Sequence, residues 1–141
     1  MSGLTFKSPF TQHLGIEITQ WQENSVSLQV QVKDEFLNAH GAPHGGFLCS
    51  ILDVATALSG TFCPEPGRVR KALTLSLNTH FLAQASGRQL FASGKIVKAG
   101  YKVYYASAEI TDSEQQLIAT AQAVLKYTKG SETLNGTPND N

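Results

Sequence analysis

Residues 45–62 read GGFLCSILDVATALSGTF, and this stretch decides the fold. Nearly every position is apolar or small, Ala and Leu recur, and the run stops at Cys63-Pro64-Glu65-Pro66-Gly67, where two prolines cannot continue a helix. The composition predicts one long helix that is apolar on every side. Such a helix can turn no stripe to water, so another layer must wrap it, and a curved sheet fits a chain otherwise rich in strands. Residues 16–21 and 25–32 alternate β-favouring with polar side chains around Glu23-Asn24, which predicts a hairpin before the helix. Beyond it, residues 72–82, 90–97, 103–111 and 117–127 have strand composition and are parted by Ser86-Gly87, Ala99-Gly100 and Asp112-Ser113. The expected order is β-β-α-β-β-β-β, an α+β domain over residues 1–128. Residues 129–141 are polar and rich in Gly, Pro, Asn and Ser, and are expected to form a poorly ordered tail.

A chain of 141 residues, 41% hydrophobic, has the size of one domain with one core. Its 11 basic and 11 acidic residues are mixed and cancel, leaving no basic stripe for a nucleic-acid backbone. Residues 1–10 lack a cationic start with a long apolar run, and no window reaches the ~18 apolar residues of a membrane span. A soluble, cytoplasmic protein with neither nucleic-acid nor membrane partners is the expectation. Cys49 and Cys63 are separated by about 21 Å at ~1.5 Å per helical residue, too far to bridge within that helix, and read as free thiols.

Between Glu35 and Glu65 the one carboxylate is Asp53, near the middle of the most apolar segment. A charge there needs pairing, hydrogen bonds or an open cleft, and isolated groups of this kind mark functional sites as well as structural ion pairs. His44-Gly45-Gly46 opens the helix, where the first N–H groups lack helical partners and the dipole's positive end points outward. Two glycines leave that backbone uncovered, so a substrate carbonyl can place developing negative charge on it, although a loop-to-helix entry that needs glycine torsions has the same sequence. Asn38, six residues before His44, is either a turn residue or an amide donor to the same carbonyl. His44 either orients the loop or takes part in acid–base work. The run His40, His44, Cys49, Asp53 has metal-ligand residue types, but Gly41 and Pro43 break the helical spacing and no CxxC or HExxH occurs, so no metal is expected. No G-x-S-x-G elbow is present, and Cys49 sits in apolar surroundings that disfavour its thiolate.

If Gly45 or Gly46 polarises a carbonyl and Asp53 attacks it, both must converge on one carbon. Seven or eight residues at ~1.5 Å rise put them roughly 10–12 Å apart along the helix. One chain can hardly supply both groups, so the site is expected in the interface of a homo-oligomer, the glycine end of one helix meeting Asp53 of its partner.

The stretch Leu37-Asn38-x5-His44-Gly45-Gly46-x6-Asp53 resembles the phenylacetate-pathway type of hotdog-fold acyl-CoA thioesterase. That resemblance implies a curved antiparallel sheet around the helix, assembly into dimers or dimers of dimers, and hydrolysis of acyl-CoA with no cofactor beyond the CoA of the substrate. It makes Asp53 the nucleophile or general base, Gly45 and Gly46 the backbone donors to the thioester oxygen, and Asn38 an orienting donor. It places an assisting hydroxyl on the first long strand after the helix, matched here by Thr74, with Ser76 facing the same side if the strand alternates regularly. The turn Lys98-Ala99-Gly100-Tyr101-Lys102 resembles the family's basic loop for the CoA phosphates, and Arg68, Arg70 and Lys71 form a second cluster. Phe81-Leu82-Ala83-Gln84 stands where relatives usually carry a proline. A non-catalytic acyl-CoA binding domain and an acyl-thioester dehydratase or hydratase using His44 are the rival readings.

Overall fold

A computed structural model describes residues 8–140 of the chain. Residues 1–7, part of the N-terminal stretch 1–10 read above, lie outside the described residues. Pro9 and Gly15 bracket a short helix that the sequence pattern did not announce, α1 (Pro9–Leu14), with proline in its first turn and Gly15 left-handed at φ 74°. The hairpin follows as expected, β1 (Glu17–Gln22) and β2 (Ser25–Gln31), with Asn24 at φ 72° in its turn. Helix α2 (Gly45–Ser59) comes next, then a two-residue strand β3 (Arg68–Val69) and the long strands β4 (Ala72–Phe81), β5 (Gln89–Ala99), β6 (Val103–Asp112) and β7 (Leu117–Tyr127).

The long strands form one sheet in the order β1-β2-β5-β6-β7-β4, and every neighbouring pair is antiparallel. Alternation along β2, β5 and β6 turns Val26, Leu28, Val30, Leu90, Ala92, Ala108 and Ile110 toward α2, which answers with Ile51, Leu52, Ala55 and Leu58. The helix backbone rests directly on β5. A Cβ at Gly94 would stand 2.2 Å from the Ala55 carbonyl oxygen, so only glycine permits this approach.

The end of α2 is fastened by side chains from the sheet. Trp21 Nε1 donates to the Leu58 carbonyl at 2.8 Å, Tyr104 Oη to Ala57 at 2.8 Å, and Tyr127 Oη to Gly60 at 2.6 Å. These bonds reach carbonyls of the last turn, where regular helical pairing ends; Ala57 and Leu58 also accept tightened-turn bonds from Gly60 N and Thr61 N. Burial, the largest influence, pushes the Tyr104 hydroxyl far above the ordinary phenol range, so it stays protonated and keeps donating.

Two expectations need correction. First, α2 is not wrapped on every side: Gly46, Cys49, Ser50, Asp53 and Ala57 form a stripe that the sheet leaves exposed or half-covered. Beside it runs β4, a sheet edge with only β7 as neighbour, carrying exposed Leu73 (61%), Leu75 (57%), Phe81 (53%) and Leu82 (55%). Second, the segment after Thr128 is laid against the domain. Strand β8 (Thr137–Pro138) pairs antiparallel with β3, Ser131 is fully buried, and Lys71 N donates to Ser131 Oγ at 2.8 Å. Side-chain forks rather than apolar burial hold it, which is why its composition concealed the contact.

Candidate active site

Helix α2 and strand β4 run side by side in opposite directions and make one seam. At one end the Phe81 ring lies where a Cβ on Gly45 would be 3.5 Å from it. In the middle Cys49 Sγ is 3.5 Å from Thr79 Oγ1. At the other end Thr74 Oγ1 donates to Asp53 Oδ1 at 2.7 Å, a charge-assisted bond. This bond fixes the carboxylate's rotation and leaves Oδ2 without a protein donor among the described residues, on a half-buried side chain of the uncovered stripe.

Period-two alternation would have put Ser76 beside Thr74. A bulge intervenes: Thr74 opposes Leu125 while Ser76 opposes the adjacent Val124. The inward set therefore switches parity, from Ala72 and Thr74 to Leu77 and Thr79, and Ser76 is turned to the other face.

At the helix start the two glycines are not equivalent. His44 is the N-cap, and its Nδ1 accepts the Gly46 N–H at 2.9 Å, so that donor is spent on the cap. The imidazole must then carry its proton on Nε2. Gly45 N–H has no acceptor among the described residues and remains the open donor. Asn38 Oδ1 accepts from His40 N at 2.9 Å and Ala42 N at 3.1 Å, closing the loop and leaving its amide Nδ2 as a donor without a partner there. Asn38 and Gly45 line one cavity of about 520 Å³, floored by Leu48, Phe81, Leu82 and Ile118. A cavity of this size and lining suits a small organic ligand.

The structure thus joins Asp53 with Thr74, and Gly45 with Asn38, but keeps the pairs at opposite ends of the seam, ~12 Å apart at 1.5 Å rise per residue. His40, His44, Cys49 and Asp53 are not gathered: no group of three or more metal-ligating side chains occurs among the described residues. Gly100, Tyr101 and Lys102 form the β5–β6 turn, closed by Gly100 N donating to Val103 at 2.8 Å, while Lys98 lies near the end of β5 opposite Tyr105; both lysines and Tyr101 are exposed. Arg68 and Arg70 are engaged by residues 131–136. No helix of the described residues is long and apolar enough to cross a membrane.

A curved antiparallel sheet around one long helix, with a polar seam at the open edge, defines a hotdog domain. Comparison with known proteins agrees: residues 40–119 match the thioesterase superfamily, and the chain belongs to that family as a thioesterase. A protein of Archaeoglobus fulgidus is 31% identical over 112 residues, covering 79% of this chain and 70% of that protein. The medium/long-chain acyl-CoA thioesterase YigI of Escherichia coli is 28% identical over 131 residues, covering 84% of each chain. In fold, the E. coli PaaI protein from the phenylacetic acid degradation operon superposes with a TM-score of 0.77 at 24% identity, covering 88% of this chain and 87% of that one.

Proposed function

We propose that this protein hydrolyses acyl-CoA thioesters in a site shared by two copies of the chain. Gly45 N–H and Asn38 Nδ2 of one copy hold the thioester oxygen, and Asp53 of the other attacks the carbonyl carbon or takes the proton of an attacking water. The tetrahedral oxyanion forms against the two donors and the positive end of α2. As it collapses, the C–S bond breaks and CoA leaves as the thiolate and is protonated; attack by water frees the acid in that step, whereas direct attack leaves an Asp53–acyl anhydride that a water then hydrolyses to the acid and free Asp53. The Thr74–Asp53 hydrogen bond carries this reading, because it orients a carboxylate on the one helix stripe that the sheet leaves open.

The open edge of β4 supports the shared site. Antiparallel pairing of two β4 edges brings residues near 74 of one chain beside residues near 81 of the other, and so Asp53 beside the partner's glycine end. Four exposed apolar side chains on or beside that edge would be covered by the same contact. The YigI name favours aliphatic acyl groups of medium or greater length, whereas the PaaI likeness, at the level of fold, leaves aromatic acyl groups in play.

The test is thiol release from a panel of aromatic and straight-chain acyl-CoAs by wild type and Asp53→Asn, with solution mass measured alongside. A loss of at least ~100-fold in a folded variant is expected, the scale of a missing acid–base group. Binding without turnover by both proteins would instead make this an acyl-CoA binding domain. Single turnover in ¹⁸O-water separates the two roles of Asp53, since water activated by a general base labels the released acid alone, whereas hydrolysis of an anhydride at the Asp53 carbonyl leaves the label in Asp53.

A further inference from the structure

The chain is neutral overall, yet its charge is unevenly placed. Lys71, Lys98, Lys102 and Lys126 gather with Arg68 and Arg70 at the end of the sheet where β3 leads into β4. Lys126 lies across from Leu73 and Val103, Tyr127 N donates to Lys102, and Thr128 N donates to Lys71. A basic pole on a neutral chain attracts a polyanion.

Within this pole the two guanidinium forks share one habit. Arg68 Nε and Nη2 donate to the carbonyls of Asn135 (2.5 Å) and Gly136 (2.7 Å). Arg70 Nε and Nη2 donate to those of Ser131 (3.0 Å) and Glu132 (3.3 Å). Each fork grips a pair of adjacent backbone oxygens and neither grips a carboxylate; the ion pair found among the described residues, Arg88–Asp34, involves neither. Two oxygens side by side are also what a phosphate offers, with charge-assisted bonds roughly twice as strong as those to neutral acceptors.

Arg70 lies four residues before Thr74, no more than ~14 Å along extended chain. Arg70 lies 4.4 Å over the Tyr127 ring, that ring packs on Tyr104 at 4.7 Å between centroids, and the Tyr104 hydroxyl donates to Ala57, about one helical turn beyond Asp53. A coenzyme thioester carries its phosphates at the far end of a long flexible arm, so a thioester at Asp53 can set them at this pole.

We propose that Arg68 and Arg70 form the binding site for the coenzyme's phosphates, and that the C-terminal arm, residues 131–139, occupies it in the free protein. The arm's backbone oxygens stand in for phosphate oxygens and give way to them. Its other ties are mostly polar, around a buried Ser131, and include the two-residue β3–β8 ladder, Lys71 N and Thr128 Oγ1 to Ser131 Oγ, Ser131 N to the Thr128 carbonyl, Asn139 N to the Gly67 carbonyl, and Cys63 Sγ to the Leu134 and Asn135 carbonyls. The inference rests on the acyl-CoA reading above, which supplies the anion.

Hydrogen exchange on the full chain tests it with coenzyme A and, as a probe without the nucleotide phosphates, pantetheine. Coenzyme A at saturation should speed exchange across residues 131–139 while pantetheine leaves it unchanged. Arg70→Gln should weaken coenzyme A binding about tenfold, the loss of one charged hydrogen-bonded contact, and leave pantetheine binding as it was. Exchange that is unchanged or slowed by coenzyme A, or a substitution that weakens both ligands alike, would overturn the proposal. Because these readouts need no turnover, they stand apart from the acyl-CoA panel, whose failure would sink the hydrolase reading instead.

Discussion

Replacing Thr74 by valine keeps the shape of the side chain and deletes one atom's chemistry, the hydroxyl that donates to Asp53 Oδ1 at 2.7 Å. Hydrogen bonds to charged groups contribute about 1.5–3 kcal/mol net, and the exposure of Thr74 in the single chain argues for the lower part of that range. If the bond exists to aim the carboxylate, its loss appears in the barrier, and ~1.4 kcal/mol corresponds to a tenfold change in rate. Thr74→Val should therefore lower kcat about 10-fold to 30-fold with KM little moved, and Thr74→Ser should recover most of the loss. Ser76→Ala should stay within about twofold, because the bulge turns Ser76 to the opposite face. Steady-state thiol release on one acyl-CoA, with unfolding curves for each variant, measures all three. The reasoning is refuted if Thr74→Val keeps wild-type kcat, or if Ser76→Ala falls further than Thr74→Val.

Other substitutions probe other parts of the structure. His44→Ala should cost about 1 kcal/mol in urea unfolding, whereas His44→Asn, a better N-cap, should retain stability and most activity; loss of activity in the asparagine variant would show that the imidazole does more than cap. Gly94→Ala forces a methyl against the Ala55 carbonyl and should destabilise by about 3 kcal/mol, the upper part of the usual overpacking range, visible as a lower urea midpoint at unchanged slope. Asp112 accepts backbone N–H bonds from Ser86, Gln116 and Glu114, which hold its carboxyl below the ordinary range. Its contribution is complete above the unfolded carboxylate pKa of about 3.9 and fades as pH falls toward the lower folded value. Asp112→Asn should flatten the acid limb of a stability-against-pH curve, and an unchanged limb would count against this account.

The elements that the sequence announced are those where local pattern and tertiary contact agree. Residues 25–31 alternate because one face packs on α2, and Glu23-Asn24 was legible as a turn because asparagine tolerates the left-handed torsion found there. Asp53 stood out as a lone charge in an apolar run, and the structure gives it a donor. What stayed hidden depended on partners distant in sequence. The parity switch in β4 needs the register against β7, which Thr74-Leu75-Ser76 does not encode visibly. Gly45 and Gly46 look alike on paper, and the His44 ring alone distinguishes them. Short α1 is too brief for periodicity, although Ser8-Pro9 and Gly15 were readable as its start and stop. The C-terminal segment carries the composition of a free tail, but two arginines more than sixty residues upstream hold its carbonyls.

Trp21 is the chain's one tryptophan, and its indole N–H is bonded to the Leu58 carbonyl while its ring meets Phe62 edge-on at 5.8 Å between centroids. The intrinsic emission of this protein is thus a reporter wired to a single place, the last turn of the central helix. A shift in its wavelength during denaturation times the release of that turn from the first hairpin. Quenching or polarisation changes on adding ligand would say whether occupancy at the glycine end is felt four turns away, without any label being attached.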